Sequence, residues 1–150
     1  EGKTSEAADN RQQQMDKRMR KTEHLLIQDP VELAAENEVA DILYLGFIST
    51  KGAIQEGKVR LEEEGLKVNH LQIRQLHPFP SESIQKEVDK ASKVVVVEHN
   101  YQGQLASILK MNVNLGDKLI NQTKYDGTPF LPREIESKGL EIAKEIKELV

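Results

Sequence analysis

Three short segments carry the residue types that chemistry needs. Glu98-His99-Asn100-Tyr101 follows the apolar run Val94–Val97. A carboxylate beside an imidazole at a strand end can move protons on a substrate. Asn100 can equally cap a following helix, which accounts for half the segment without chemistry. His77-Pro78-Phe79-Pro80 is a stiff, apolar corner, because two prolines fix φ and remove backbone donors. His77 there is a candidate base or ligand, but no carboxylate or second ligand stands at suitable spacing. Phe79 is expected to plug the core or an interface. The third segment, Gly46 to Gly52, resembles a phosphate loop only loosely. Such a loop needs glycines so that N–H groups can close on the anion, and here Phe47 and Ile48 fill its interior. Ser49 or Thr50 reads better as a helix cap. The chain lacks a nucleophile elbow and any HExxH or ExxH pair. His24, His70, His77 and His99 are scattered, which argues against a metal centre.

The elements that position these segments follow from periodicity. Glu1 to Asn10 is small and polar and is expected to be frayed. Arg11 to Leu26 is a helix candidate with a narrow stripe of Met15, Met19, Thr22 and Leu26. The run Lys17 to Lys21 is either a patch for an acidic partner or a solvated face, the reading favoured by the flanking Asp16 and Glu23. Asp29-Pro30 breaks the helix, and the chain divides into a tail and linker, 1–28, and a domain, 29–150. Val31, Leu33 and Ala35 alternate with Glu32, Ala34 and Glu36 as in an edge strand. Ile42 to Phe47, Val68 to Ile73, Val94 to Val97 and Lys118 to Gln122 read as further strands. Val95 and Val97 are expected to serve one buried face each. Helices are expected over Lys51 to Glu64 (Ala53, Ile54, Gly57 and Leu61 inward, Gly65 as stop), from a Ser81 cap to Ala91, over Gln102 to Met111, and from Pro132. The last buries Ile135, Ile142, Ala143, Ile146 and Leu149. Strand–helix alternation implies an α/β fold: a mostly parallel sheet with helices on both faces. In such sheets working residues gather at the carboxyl ends of the strands. Arg74, His77, Phe79, His99, Asn100 and Tyr101 fall there and are candidates for an interface.

Composition removes other options. At 150 residues the chain makes one domain, two at most. It has no cysteine, hence no disulfide, cysteine-held cluster or thiol nucleophile. The 21 basic against 25 acidic residues give a net charge of −4, which disfavours a nucleic-acid partner. Apolar runs fall far short of the ~20 residues of a membrane span, and no signal peptide opens the chain.

Four segments in order, GFISTKGAI (Gly46 to Ile54), LQIRQLHPFP (Leu71 to Pro80), VVVVEHNYQGQL (Val94 to Leu105) and YDGTPFLPREI (Tyr125 to Ile135), resemble the C-terminal end of the alpha subunit of 2-oxoacid:ferredoxin oxidoreductases, the 2-oxoglutarate type above all. Asp16 to Lys21 is similar to the segment preceding that domain. The resemblance implies a transketolase C-terminal-domain-like fold: a three-layer α/β/α sandwich with a five-stranded sheet, order 1-3-2-4-5, strand 1 antiparallel. It implies a cytoplasmic parent complex that decarboxylates a 2-oxoacid, acylates coenzyme A and reduces ferredoxin. It places thiamine diphosphate with magnesium, and the iron–sulfur cluster, in other domains or subunits. The partners would be the other domains of the alpha subunit and a beta subunit. In this chain it assigns no catalytic, cofactor-binding or metal residue, and the chain alone is expected to be inactive. Two positions depart from the family pattern: Ile48 stands where a second glycine is usual. Leu131 stands where Ser or Thr usually precedes the final helix's proline, leaving that helix to rely on packing, with Glu134–Lys138 and Lys144–Glu148 pairs outside. Two alternatives are a Rossmann-like coenzyme A or nucleotide-binding module, and a small stand-alone enzyme using His77 or His99.

Overall fold

The computed structural model describes residues 4–23, 25 and 27–148. The elements run α1 (Ala8–Glu23), β1 (Val31–Ala34), β2 (Ala40–Phe47), α2 (Lys51–Glu63), β3 (Val68–Ile73), α3 (Ser81–Asp89), β4 (Ala91–Glu98), α4 (Gln104–Asn112), β5 (Leu119–Thr123) and α5 (Pro132–Glu148). A single 3-10 turn, Ile48–Thr50, joins β2 to α2. The sheet order is β1-β3-β2-β4-β5, with β1 antiparallel to β3 and the other pairs parallel. This is the topology that the four segments imply.

Side chains alternate across a strand, so the two faces of the sheet bury different sets. Leu43, Leu45, Leu71, Val94 and Val96 pack with Ile84 and Val88 of α3 and Leu105 and Leu109 of α4. Ile42, Tyr44, Val68, Val95 and Val97 pack with Ile54 and Leu61 of α2 and Ile135 and Ile142 of α5. Val95 and Val97 therefore share one face, not one each, because residues two apart in a strand point the same way.

Helices α2 and α5 lie close because each offers a glycine where the other needs room. A Cβ on Gly57 would stand 2.6 Å from the Ile135 Cβ, and one on Gly139 would stand 2.5 Å from a Leu61 methyl and 2.9 Å from the Tyr44 hydroxyl. That hydroxyl donates to the Ile135 carbonyl at 3.0 Å, tying β2 to α5. Burial pushes the Tyr44 pKa up.

Several boundaries differ from expectation. Helix α1 begins at Ala8, within the stretch expected to fray, and buries no residue; Met15 and Met19 are exposed, too little apolar area to seat a helix. His24, Leu26 and Leu149 lie outside the described residues. Leu33 is exposed, and of the strand's alternating set Val31 packs against the core. Helix α3 stops at Asp89, because β4 starts at Ala91, which pairs with Ala40. Ser81 is that helix's first residue, not its cap; Pro80 takes the cap position. Ile108 is half-buried rather than buried. In place of a Ser or Thr cap, α5 opens on its own third residue: a Glu134 oxygen accepts the Leu131 N–H at 2.7 Å, half of a capping box. Lys124 pairs with the same carboxylate at 2.9 Å, holding its pKa below the usual range. Glu134 is thus engaged across the chain rather than with Lys138, which pairs with Glu141.

His70, on β3, is 2% exposed. Its Nε2 lies 3.3 Å from the Gln72 side-chain oxygen. Burial lowers its pKa from the usual 6.5 or so to about 4, against the Gln72 hydrogen bond and Glu32, which raise it, and with Lys51 and Lys58 lowering it further.

Two expected outcomes follow from this packing. Val96→Asp puts an unpaired charge between Leu45 and Asn121 in the middle of the sheet. That costs several kcal/mol against a typical total of ~5–15, so the variant should lose its cooperative thermal transition; an unchanged melting temperature would refute the placement of β4. For His70, the folded state holds its proton less tightly than the unfolded chain. Stability is therefore complete above pH 6.5 and declines as pH falls towards 4, by on the order of 3 kcal/mol. Urea midpoints between pH 6.5 and 4.5 should fall in the parent chain and stay nearly level in His70→Leu; parallel slopes would exclude His70 as the cause.

Candidate functional site

Crossovers from β2 and from β4 leave in opposite directions along the sheet, to β3 on one side and β5 on the other. That switch point opens a crevice at the carboxyl ends of β2 and β4, where α/β sheets usually hold ligands. A cavity of about 320 Å³ lies there, with Phe47, Ile48, Leu76, Leu105 and Ile108 supplying its apolar lining and Glu98, His99, Asn100 and Gln104 among its polar residues. A shallower depression of about 520 Å³ adjoins it, sharing Ser49 and His99 and extending to Tyr125 and Thr128.

Glu98 ends β4 and is 4% exposed, though no cation pairs with it among the described residues. What holds it is the start of α4. One carboxylate oxygen accepts the Leu105 N–H at 2.8 Å and the Asn100 side-chain amide at 2.6 Å; the other accepts the Ala106 N–H at 3.2 Å. Asn100 Oδ1 accepts the N–H groups of Gly103 at 2.7 Å and Gln104 at 3.2 Å. A helix start leaves such donors orphaned and carries partial positive charge. Two side chains of this chain fill it. Gly103 makes the turn possible: its φ is 70°, and a Cβ there would lie 2.0 Å from the Asn121 amide nitrogen. Its left-handed backbone also explains why α4 starts at Gln104 instead of Gln102.

The loop after β2 carries strain. Ile48 sits at φ 57°, in the left-handed region, and its side chain faces solvent. Buried Thr50 accepts the Phe47 N–H through its hydroxyl at 3.2 Å, so it ties the turn to the strand end rather than capping α2. The Gln72 amide donates to the Ile48 carbonyl at 3.4 Å from the next strand.

The structure splits the six interface candidates into three groups. His99 and Asn100 line the crevice and Tyr101 follows them. The His99 ring rests on Phe130, with centroids 4.8 Å apart, and the exposed Tyr101 ring meets Tyr125 edge-on at 4.9 Å. His77 and Phe79 border a different depression of about 460 Å³, formed with Thr22, Leu25 and Pro30. His77 is exposed and precedes a cis peptide bond; half-buried Phe79 packs on the core. Arg74 is exposed and shares Glu32 with Lys51, and these cations hold the Glu32 pKa below its usual range. Ile48 and Tyr125 belong to the surface and Phe130 lies buried beneath His99, although sequence reasoning gave none of them an interface role. Tyr125 and Phe130 come from the turn after β5, which no local pattern links to β4.

This arrangement does not form the acid–base pair that Glu98-His99 hints at. Neighbouring strand residues point to opposite faces, Glu98 is committed to α4, and His99 leans on Phe130. Nor do the residues fit a diphosphate cofactor: the amides that would bind its anion already hold a carboxylate, and a phosphate would meet that charge. Among the described residues, no group of three or more His, Asp or Glu side chains is placed to hold a metal ion. No described helix is long and apolar enough to cross a membrane.

Fold and crevice together define a doubly wound α/β domain whose helix start at the switch point is filled by its own side chains. Residues 40–135 match the family model of the pyruvate:ferredoxin oxidoreductase core domain II, and the chain belongs to that family. It is 33% identical over 151 residues to the alpha subunit of 2-oxoacid:ferredoxin oxidoreductase 1 of Sulfurisphaera tokodaii, covering 97% of this chain and 23% of that protein. The corresponding alpha subunit of Saccharolobus solfataricus is 30% identical over 141 residues, covering 89% and 22%. Among solved structures, a 2-oxoglutarate:ferredoxin oxidoreductase from Magnetococcus marinus, with 2-oxoglutarate, coenzyme A and succinyl-CoA bound, superposes with a TM-score of 0.80 at 27% identity, over 94% of this chain and 24% of that one. A split-gene transketolase shares the fold at 16% identity, with a TM-score of 0.58 over 81% of this chain and 44% of that one. The chain spans about a quarter of the length of the curated relatives it matches.

The strained loop yields a substitution with a favourable sign. A left-handed residue with a Cβ costs ~1–2 kcal/mol, and glycine's greater unfolded-state freedom returns ~0.4–1 kcal/mol of that. Ile48→Gly should therefore stabilise the chain by about 1 kcal/mol, seen as a higher melting temperature. A lower one would mean that Ile48 contributes packing worth more than its strain.

Proposed function

We propose that this chain is the C-terminal, transketolase-like part of the alpha subunit of a 2-oxoacid:ferredoxin oxidoreductase, with 2-oxoglutarate as substrate. The carrying observation is the similarity to alpha subunits across nearly the whole chain. The 2-oxoglutarate bound in the Magnetococcus marinus relative supports the substrate assignment. The complete cytoplasmic complex would decarboxylate the 2-oxoacid, transfer the acyl group to coenzyme A and reduce ferredoxin. Thiamine diphosphate, its magnesium, the iron–sulfur cluster and the coenzyme A site belong, in this reading, to the remaining domains and a beta subunit. The self-filled helix start at Glu98 supports that division, and it counts against the coenzyme A or nucleotide-binding alternative.

Residues 29–150 act here as the folding unit and 1–28 as tail and linker, a division supported by an α1 that buries nothing. The domain's work is structural: its carboxyl-end face, with Arg74, His77, Phe79, His99, Asn100 and Tyr101, meets neighbouring domains.

The test is turnover. The complete complex, supplied with 2-oxoglutarate and coenzyme A, should reduce a low-potential viologen dye. The 150-residue chain should not, even with thiamine diphosphate and magnesium added. Turnover by the chain alone that survives repurification would overturn the assignment, as would a complete complex inert to every 2-oxoacid.

A further inference from the structure

The carboxyl-end surface shows a feature that its candidate residues did not reveal. Ile48 is 72% exposed, Tyr101 73% and Tyr125 65%. The only other large apolar residues as exposed among those described are Val39 and Met111, which lie just before β2 and near the end of α4, away from the strands' carboxyl ends. The three form one continuous surface. Ile48 and His99 line the crevice, His99 and Tyr125 line the adjoining depression, and Tyr101 meets Tyr125 edge-on.

Exposed apolar groups gathered around a groove mark a contact surface. The charged groups at its border are mostly engaged within the chain. Glu98 is satisfied by α4 amides, Lys124 is paired with Glu134, and Asp126 turns back to accept from both the N–H and the hydroxyl of Thr128, which lowers its pKa. The backbone at Ile48 adds a second, independent sign. A β-branched residue held left-handed with its side chain in solvent gains nothing within this chain, and strain kept at such a position points to function.

We infer that Ile48, Tyr101 and Tyr125 form the docking ridge of this domain, with Ile48 inserted into an apolar recess on the remainder of the same subunit. The inference rests on the subunit assignment proposed above. The occupant is chosen for the length of chain it must come from: the matched relatives are about four times as long, so most of such a subunit lies outside these residues. A second copy of this chain is the competing occupant.

Tyrosine nitration by tetranitromethane tests it, because the chain has three tyrosines and Tyr44 is fully buried as an internal control. In the 150-residue chain, Tyr101 and Tyr125 should nitrate readily at every protein concentration, and Tyr44 should not. In the complete complex both should nitrate more slowly by roughly tenfold or more, since they are reached only when the contact opens. Ile48→Gly and Ile48→Asn, two residues that accept a left-handed backbone, should restore nitration in the complex without lowering the melting temperature of the chain alone. Equal nitration of Tyr101 and Tyr125 in chain and complex would overturn the ridge. Should that complex still turn over a 2-oxoacid, the subunit assignment would stand. Protection in the chain alone that disappears on dilution would overturn it in favour of a second copy.

Discussion

β2 and β4 lie side by side and are buried on both faces, and the rest of the domain is arranged to satisfy that burial. Ile42 to Leu45 and Val94 to Val97 have no solvent-facing side. A strand of that kind needs a helical layer above and another below, and a parallel neighbour reached by a crossover supplies it. Helices α3 and α4 cover one face, α2 and α5 the other. The antiparallel β1 pairs with β3 on one flank and the half-buried β5 with β4 on the other. The Gly57–Ile135 and Gly139–Leu61 contacts bring α5, the last element, hard against α2, so the chain's end closes the layer that its middle begins.

The sheet's carboxyl end is held by a second constraint, the pairing of Glu98 with the start of α4. A buried carboxylate without a cation is costly unless hydrogen bonds replace its lost water. Three donors do so, two from the helix backbone and one from Asn100. The exchange benefits both parties, since the helix start would otherwise leave its N–H groups orphaned. It also fixes where the next residues go. With Glu98 turned to α4, His99 falls to the other side onto Phe130, and the chain turns through Asn100 to carry Tyr101 outward.

Much of this was legible in the sequence. The valine run could only be a doubly buried strand, and strand–helix alternation required a parallel sheet. The antiparallel sense of β1 was not readable from alternation, which is the same in either direction; resemblance carried it. Boundaries failed where tertiary contacts outweigh local pattern. Ala91 reads as the end of a helix until pairing with Ala40 claims it for β4. Leu131 reads as a lost cap because the replacement comes from Glu134, three residues on. The contact surface was half legible: Glu98-His99-Asn100-Tyr101 stood out as a motif, but Tyr125 comes from beyond β5. Ile48 reads as an obstruction to phosphate, which says nothing of its left-handed backbone.

Where such a fold commonly holds ligands, at its switch point, this chain sets its own Glu98 against the helix start. A ligand site there depends on a helix start with free N–H groups and a glycine-rich approach. In this chain Glu98 and Asn100 occupy the first and Phe47 and Ile48 block the second. Both changes draw on side chains at the ends of the central strands, where a binding loop would otherwise begin. A carboxylate placed there rigidifies the crevice, because displacing it would strand a buried charge and the helix amides together. The surface around it is then free to be apolar. A ligand pocket needs convergent polar groups to orient its guest; a contact between domains needs shape and apolar area, and that is what Ile48, Tyr101 and Tyr125 present.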